Sequence, residues 1–370
     1  LPPTATTRVA IVGASSIAGK ELNDALAESP LAASDIALLD EEGMAGQLTA
    51  AAEGVSVVQK LDADSFDGID FAFFAGTAQD TLRFWRPAQK AGAAIVDLTG
   101  ALESEPGVLV RAPWIFASGA TASLRSASPQ LDLNTPAVVA AHSATLMLLA
   151  VANQLSTNLP VRSIAATVFE PASEHGQAAM DELHQQTVAL LSFQSIPRLQ
   201  FDAQTAFNLL PVMGDAARID LAAIRSRIAY EYAILAGSAA PALALQVVQA
   251  PVFHSITMSV FLELSAPVTV AQAETALRGG AIDVQGAGSD PPTNVSAAAH
   301  ARILARVSAG LPAAQTASAE IVAGGASSPV AAPATRFWVW MAADNLKLSA
   351  LNAIACAGEL ARLRPQGKVQ

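Results

Sequence analysis

Arg8-Val9-Ala10-Ile11-Val12 runs straight into Gly13-Ala14-Ser15-Ser16-Ile17-Ala18-Gly19, and from Lys20 to Glu28 the apolar positions recur at helical spacing. A β-rich run, a glycine turn and a helix, in that order, open a parallel doubly wound sheet, because the crossover helix must bring the chain back for a strand in the same direction. The pattern continues. Asp35 to Asp40, Asp70 to Ala75 and Ala94 to Asp97 each read as strands, with helical material such as Thr77 to Ala91 between them. This alternation predicts a Rossmann-like α/β domain over residues 1–133.

Near Leu131-Asp132-Leu133-Asn134 the pattern changes. An apolar helix over 136–155 is followed by longer strand patterns at Val161 to Glu170, Leu243 to Val248 and Val252 to Leu264. They predict an α+β domain over residues 134–340 with a mostly antiparallel sheet, one face of which can pack on a second copy. A homodimer is therefore expected. A Gly/Ala/Ser/Pro-rich stretch from Ser308 to Ala334 reads as loop, Arg336 to Met341 as a strand and Asp344 to Arg364 as a helix. The closing segment, 341–370, is expected to return to the first domain.

The net charge of −11, with 21 basic residues scattered along the chain, argues against nucleic acid and anionic membranes as partners. The longest apolar run, Pro136 to Leu155, carries His142, Ser143, Thr145, Asn153 and Gln154, which suits a buried helix rather than a bilayer span. Leu1 to Arg8 lacks the pattern of a secretory signal, and one cysteine, Cys356, leaves no internal disulfide. A cytoplasmic location is the expectation.

Outer glycines at 13 and 19 permit a tight turn and bring backbone N–H groups at a helix start towards a pyrophosphate. Gly13, Ser15, Ser16, Ile17 and Gly19 are the candidate contacts, with Ser16 standing where a third glycine is usual. Asp40-Glu41-Glu42 places carboxylates at the end of the second strand, where Glu41 is the candidate ribose contact. Carboxylates accept from a 2′-hydroxyl and repel a 2′-phosphate, so NAD is expected over NADP if a dinucleotide binds. An ordinary βα turn beside a solvated acidic loop explains the same residues with no cofactor at all.

Further along, His142-Ser143-Ala144-Thr145, Ala206-Phe207-Asn208-Leu209-Leu210-Pro211, Val247-Val248-Gln249-Ala250-Pro251-Val252-Phe253, and Phe337-Trp338 followed by Ala343-Asp344-Asn345 stand out. With the glycine turn, these segments resemble the aspartate-semialdehyde dehydrogenase family, most closely its Usg-type branch, from about Val9 to Leu363. The resemblance implies NADP-dependent reduction of aspartyl phosphate through a cysteine thioester, with a histidine as acid/base and arginines holding the anionic groups. Several of those positions are changed. Ser143 takes the cysteine's place, and a hydroxyl, unlike a thiol, needs a dedicated base to become a nucleophile. The histidine position falls on Ile256 without a gap, or on His254 with a two-residue deletion; on a strand the two would share a face. The arginine positions correspond to Val247 or Gln249 and to Glu103, the glutamine beside the thioester to Glu170, and the NADP-gripping Ser and Arg to Glu41 and Gly43. Asn345 falls on a cofactor-side position, while Cys356 reads as a small buried hydrophobe in the last helix.

The candidate catalytic residues are thus Ser143, His254 and Glu170. The expected function is a homologue without dehydrogenase activity, a NAD-binding or regulatory dimer taking a small-molecule ligand. The alternatives are an active NAD(P)-dependent aspartate-semialdehyde dehydrogenase of amino-acid biosynthesis, or a different reaction in the same cleft using His142, Ser143, His175, His254, Glu103, Glu170 and Glu174. Their spacings match no metal motif, so no metal is expected.

Overall fold

The computed structural model describes residues 7–31, 35–51, 54–117, 130–159, 161–237, 240–310 and 333–363. In the first part the strands are β1 (Arg8–Val12), β2 (Asp35–Asp40), a side hairpin of β3 (Leu48–Ala51) and β4 (Gly54–Val57), β5 (Gln59–Lys60), β6 (Phe71–Phe74), β7 (Ala94–Asp97), β8 (Leu109–Arg111) and β9 (Val138–Ala140). All but the hairpin join one sheet in the order β5-β2-β1-β6-β7-β9-β8, and every neighbouring pair is parallel. All residues of β6 and β7 are buried, because a parallel sheet is covered on both faces and its strands become continuous apolar runs. The helices α1 (Ile17–Ala27) and α2 (Ala78–Lys90) start where a side chain can accept an otherwise orphaned N–H. Ser16 caps α1 and Thr77 caps α2.

The single helix expected over 136–155 is two elements. Val138-Val139-Ala140 forms β9, wedged between β7 and β8, and α3 (Ser143–Asn158) begins after it. The break falls at His142, whose imidazole accepts the N–H of Ala144 and so caps the helix. The first sheet therefore extends to Ala140, past the boundary expected at residue 133.

The second sheet has the order β11-β10-β12-β15-β14-β13, built from β10 (Val161–Glu170), β11 (Ala242–Gln249), β12 (Ile256–Val268), β13 (Ile282–Val284), β14 (Ile303–Ala309) and β15 (Ala334–Ala343). β10 with β11 and β13 with β14 are parallel pairs, and the other three contacts are antiparallel. The helices α4 (Gln177–Leu191) and α5 (Leu221–Ala236) lie between β10 and β11 in the chain. Side chains alternate across this sheet. Ile164, Val168, Met258, Val260, Val339 and Met341 are buried, whereas Trp338 and Trp340 on the other face remain 46% and 38% exposed. Phe261 meets Trp338 at 5.1 Å and Phe169 meets Trp340 at 5.9 Å between ring centroids, leaving a broad aromatic face.

Two strand boundaries differ from the sequence expectation. β12 starts at Ile256 rather than Val252, because Ser255 adopts a left-handed φ of 68° that turns the chain. Much of the stretch expected as loop, 311–332, lies outside the described residues, and the strands beside it run to Ala309 and from Ala334. The last helix, α6 (Asn345–Leu363), packs mainly on α1, and Lys347 reaches Glu21 at 3.4 Å. Among the described residues no helix is long and apolar enough to cross a membrane.

Candidate functional site

Both outer glycines of the 13–19 turn are demanded by packing. Gly13 has φ +80°, and a Cβ there would lie 2.2 Å from Gly76 Cα; one at Gly19 would lie 2.2 Å from the Gly13 carbonyl oxygen. Helix and strand can approach this closely only without side chains. Ser16 is different. Its Oγ accepts the Gly19 N–H at 2.9 Å and donates to the Ala75 carbonyl at 2.8 Å, which turns the hydroxyl inward as a cap. Asp40 reaches into the turn, one carboxylate oxygen accepting the Ser15 N–H at 2.7 Å and the other the Glu41 N–H at 2.8 Å. Glu41 and Glu42 stay exposed, with Lys60 3.1 Å from Glu42. The turn is thus bordered by three carboxylates, Asp40, Glu41 and Glu42.

A second constellation forms where helix and strand ends converge: the start of α3, the ends of β10 and β11, the start of α6, and the 3₁₀ turn Ala172–His175. Ser143, the first residue of α3, is 1% exposed, and its hydroxyl lies 3.4 Å from both carboxylate oxygens of Glu174. Glu174 also accepts from the Asn345 amide at 2.8 Å and sits 3.1 Å from His142 Nε2. Asn345 in turn accepts from Ser173 Oγ and from the Ser255 N–H, both at 3.2 Å. The structure therefore places Asn345, expected on the cofactor side, as the residue that orients Glu174.

Nδ1 of His142 accepts the Ala144 N–H at 3.1 Å, which leaves the ring proton on Nε2, facing Glu174. Burial opposes charge on both groups, and their mutual attraction overrides it. Glu174 is held down to about 2, with Asn345 and His175 adding to the effect of His142. His142 is raised above the ordinary histidine value by Glu174 first and Glu170 second. Glu170, the last residue of β10, is fully buried, 3.3 Å from His175 Nε2 and 3.7 Å from His142 Nε2. His175 Nε2 lies 2.9 Å from Gln249 Oε1; of the two alternatives for the arginine position ahead of the histidine strand, Gln249 carries a neutral amide and Val247 is core.

His254 is not part of this cluster. It lies exposed on the turn before β12, while Ile256 beyond it is buried. The strand argument for a shared face fails because the left-handed Ser255 separates the two residues. Of the catalytic candidates, Ser143 and Glu170 come together and His254 stands apart; His142, Glu174 and His175 supply the titratable neighbours.

One cation escaped the sequence reading. Arg227 of α5 contacts Glu103 at 2.5 Å and Glu231 at 3.0 Å, its guanidinium packed on the backbone of Gly100. Glu231 also accepts the His142 N–H at 2.9 Å and the Thr145 hydroxyl at 2.5 Å, tying this network to the start of α3. Glu103, at a position where the resemblance implies an arginine, thus pairs with a cation. Burial pushes its carboxyl up to about 7, against the pull of Arg227 and with Glu231 adding. The signal that could have revealed Arg227 was its i,i+4 spacing to Glu231 within α5. Among the described residues no group of three or more His, Cys, Asp and Glu is placed to hold a metal ion.

Residues 8–159 match the family described as semialdehyde dehydrogenase, NAD binding domain, and residues 154–310 match semialdehyde dehydrogenase, dimerisation domain. The chain belongs to the aspartate-semialdehyde dehydrogenase-like family. A USG-1 protein homolog from Pseudomonas aeruginosa is 33% identical over 263 residues, 71% of this chain and 75% of that protein. An aspartate-semialdehyde dehydrogenase from Rickettsia conorii is 24% identical over 271 residues, 73% of this chain and 77% of that one. Among solved structures, one titled as a probable aspartate-semialdehyde dehydrogenase from Pseudomonas aeruginosa superposes with a TM-score of 0.76 at 29% identity, covering 96% of this chain and 98% of that one. In this semialdehyde dehydrogenase-like chain the NAD-binding match spans the parallel sheet and α3, and the dimerisation match spans most of the second sheet.

Proposed function

We propose that this chain is a dimeric family member that has given up the acyl-enzyme route and acts as a NAD-binding or regulatory protein. The observation that carries the proposal is the state of Ser143. Its hydroxyl is shut away from solvent and donates to Glu174, a carboxylate held near 2 and therefore a weak base. His142 offers no alternative, because its Nδ1 caps α3 and its Nε2 proton faces Glu174. No neighbour is set to take the serine proton, and without a thiolate the covalent route has no nucleophile. Arg227, the cation within this network, is neutralised by Glu103 and Glu231. An acyl phosphate brought here would face Glu170 and Glu174.

The glycine turn supports a dinucleotide with a free 2′-hydroxyl. The backbone at Ile17, where α1 begins, would hold the pyrophosphate, and Asp40 or Glu41 the adenosine ribose. The aromatic face of the second sheet, with Trp338 and Trp340 half open, supports the dimer.

The test is phosphate-dependent oxidation of aspartate semialdehyde with NAD and with NADP, run on the native chain and on Ser143→Cys. Neither protein is expected to turn over. Native turnover on the order of 1–10³ s⁻¹, the ordinary enzyme range, would end the proposal. Melting curves with millimolar dinucleotide should rise for NAD and not for NADP; equal shifts would overturn the cofactor assignment.

A further inference from the structure

Three side chains at the heads of two helices each aim a hydrogen at one carboxylate, that of Glu174. The Ser143 hydroxyl lies 3.4 Å from either oxygen, the Asn345 amide donates at 2.8 Å and His142 Nε2 sits at 3.1 Å. His142 caps α3, Ser143 is the first residue of α3 and Asn345 is the first of α6. Donors that converge from separate elements on a single carboxylate make a binding site for an anionic ligand. Here the ligand is part of the chain.

None of the three donors depends on Glu174 for its orientation. The His142 ring is turned by the bond from the Ala144 N–H to Nδ1, which keeps the ring proton on Nε2. Asn345 Oδ1 accepts from Ser173 Oγ and from the Ser255 N–H, so its NH₂ group points the other way, to Glu174. Ser143 is carried by the helix itself. The turn that delivers Glu174 is held just as independently, because Ala172 and Ser173 donate their N–H groups to the carbonyls of Val252 and Phe253 at 2.8 and 2.9 Å. Donors fixed by bonds of their own keep their geometry when the acceptor is taken away. Glu174 is also the member of the group that meets solvent: Ser143, His142 and Asn345 are buried, while the Glu174 side chain stays 17% exposed.

We propose that the head of α3 is a carboxylate-binding site whose resident ligand is the chain's own Glu174, so that a free carboxylate binds only in its place. This occupancy is independent of whether the glycine turn holds a dinucleotide. A tethered carboxylate competes at an effective concentration far above that of a free one. The native site is therefore closed to small carboxylates, and a ligand has to draw the 172–175 turn aside to enter. What Glu174 contributes defines the class of ligand. Beyond Cα its side chain is two methylene groups and a carboxylate, the atoms of propionate. A phosphate is disfavoured, because its second negative charge would meet Glu170, fully buried and 3.7 Å from His142 Nε2.

The experiment removes the resident ligand and offers free ones. Glu174→Gly is compared with the native chain by melting curves and by NMR titration of the histidine rings, in propionate, propionamide and inorganic phosphate. The variant should melt lower than the native chain, and propionate alone should raise it, with half-saturation on the order of 1–10 mM, within reach of a ligand of about five heavy atoms. Glu174→Ala should respond to acetate in the same way. The His142 ring, which burial pulls down and Glu174 pulls up, should titrate lower in the variant and move back up as propionate binds. The native chain should show neither response. A variant that ignores propionate, or that responds equally to propionamide or phosphate, overturns the proposal, as does a native chain stabilised by propionate to the same extent. Should Glu174→Gly not fold on its own, propionate is expected to recover its native circular dichroism and propionamide is not; recovery by neither, or by both alike, overturns the site.

Discussion

At the glycine turn the backbone dictates the residues, whereas around Ser143 the side chains dictate one another. Gly13 and Gly19 have no room for a Cβ, so any chain with this strand-to-helix approach keeps them whatever it binds. The Ser143 region is a set of mutually dependent charges. Glu174 is held by His142, Asn345 and Ser143; Glu231 is held by Arg227, Thr145 and the His142 N–H. A fold constraint survives a change of chemistry, because it concerns where atoms fit. A charge network can be rewritten, provided each new charge finds a partner.

The largest test of that contrast is Glu231→Ala. It strips Arg227 of one carboxylate and leaves the Thr145 hydroxyl and His142 N–H without an acceptor, and breaking such a buried pair costs about 3–5 kcal/mol. Denaturant unfolding should show this, and a loss below 1 kcal/mol would mean that the network contributes little. Next comes Gly13→Ala, where strain at positive φ and overlap with Gly76 together cost about 2–4 kcal/mol. If the change is tolerated without a lower melting point, the turn is not the fixed frame described here.

The pH dependence separates two of the carboxyls. Glu174 sits at about 2 in the folded chain against an ordinary 4.5, so the unfolded chain binds more protons between those values. Its contribution is present above pH 4.5 and is lost as pH falls towards 2, and Glu174→Gln should abolish that part of the acid sensitivity. Glu103 behaves oppositely: folded near 7 against 4.5 unfolded, it makes stability fall as pH rises across that window, a slope that Glu103→Gln should flatten. Unfolding measured from pH 2 to 8 distinguishes the two variants. The smallest effect is expected at Asp40→Asn, which weakens the acceptor for the Ser15 N–H at a cost of roughly 0.5–1.5 kcal/mol and should narrow any preference for NAD over NADP.

Much of the fold was legible because burial leaves a periodic trace. The strands at 8–12, 35–40 and 161–170 have the bounds that their apolar patterns suggested. Val138 to Ala140 misled because a buried parallel strand and a buried helix share the same unbroken apolar composition; the strand ends only where His142 turns its ring back to cap α3. His254 misled for a related reason. A single left-handed residue, Ser255, ends the alternation on which the strand argument relied, and periodicity carries no mark of it.

By itself, the sequence determined that two sheets would form, that a glycine turn would open the first, and that a serine, Ser143, would stand beside His142 at the head of an apolar helix. Those features depend on residue type and short-range spacing. Only the tertiary structure decided which charges meet. Arg227 is 124 residues from Glu103, and Asn345 is 171 from Glu174, so no local pattern records either contact. Pairing at that separation is a product of how helices and strand ends converge, and the state of Ser143 follows from it.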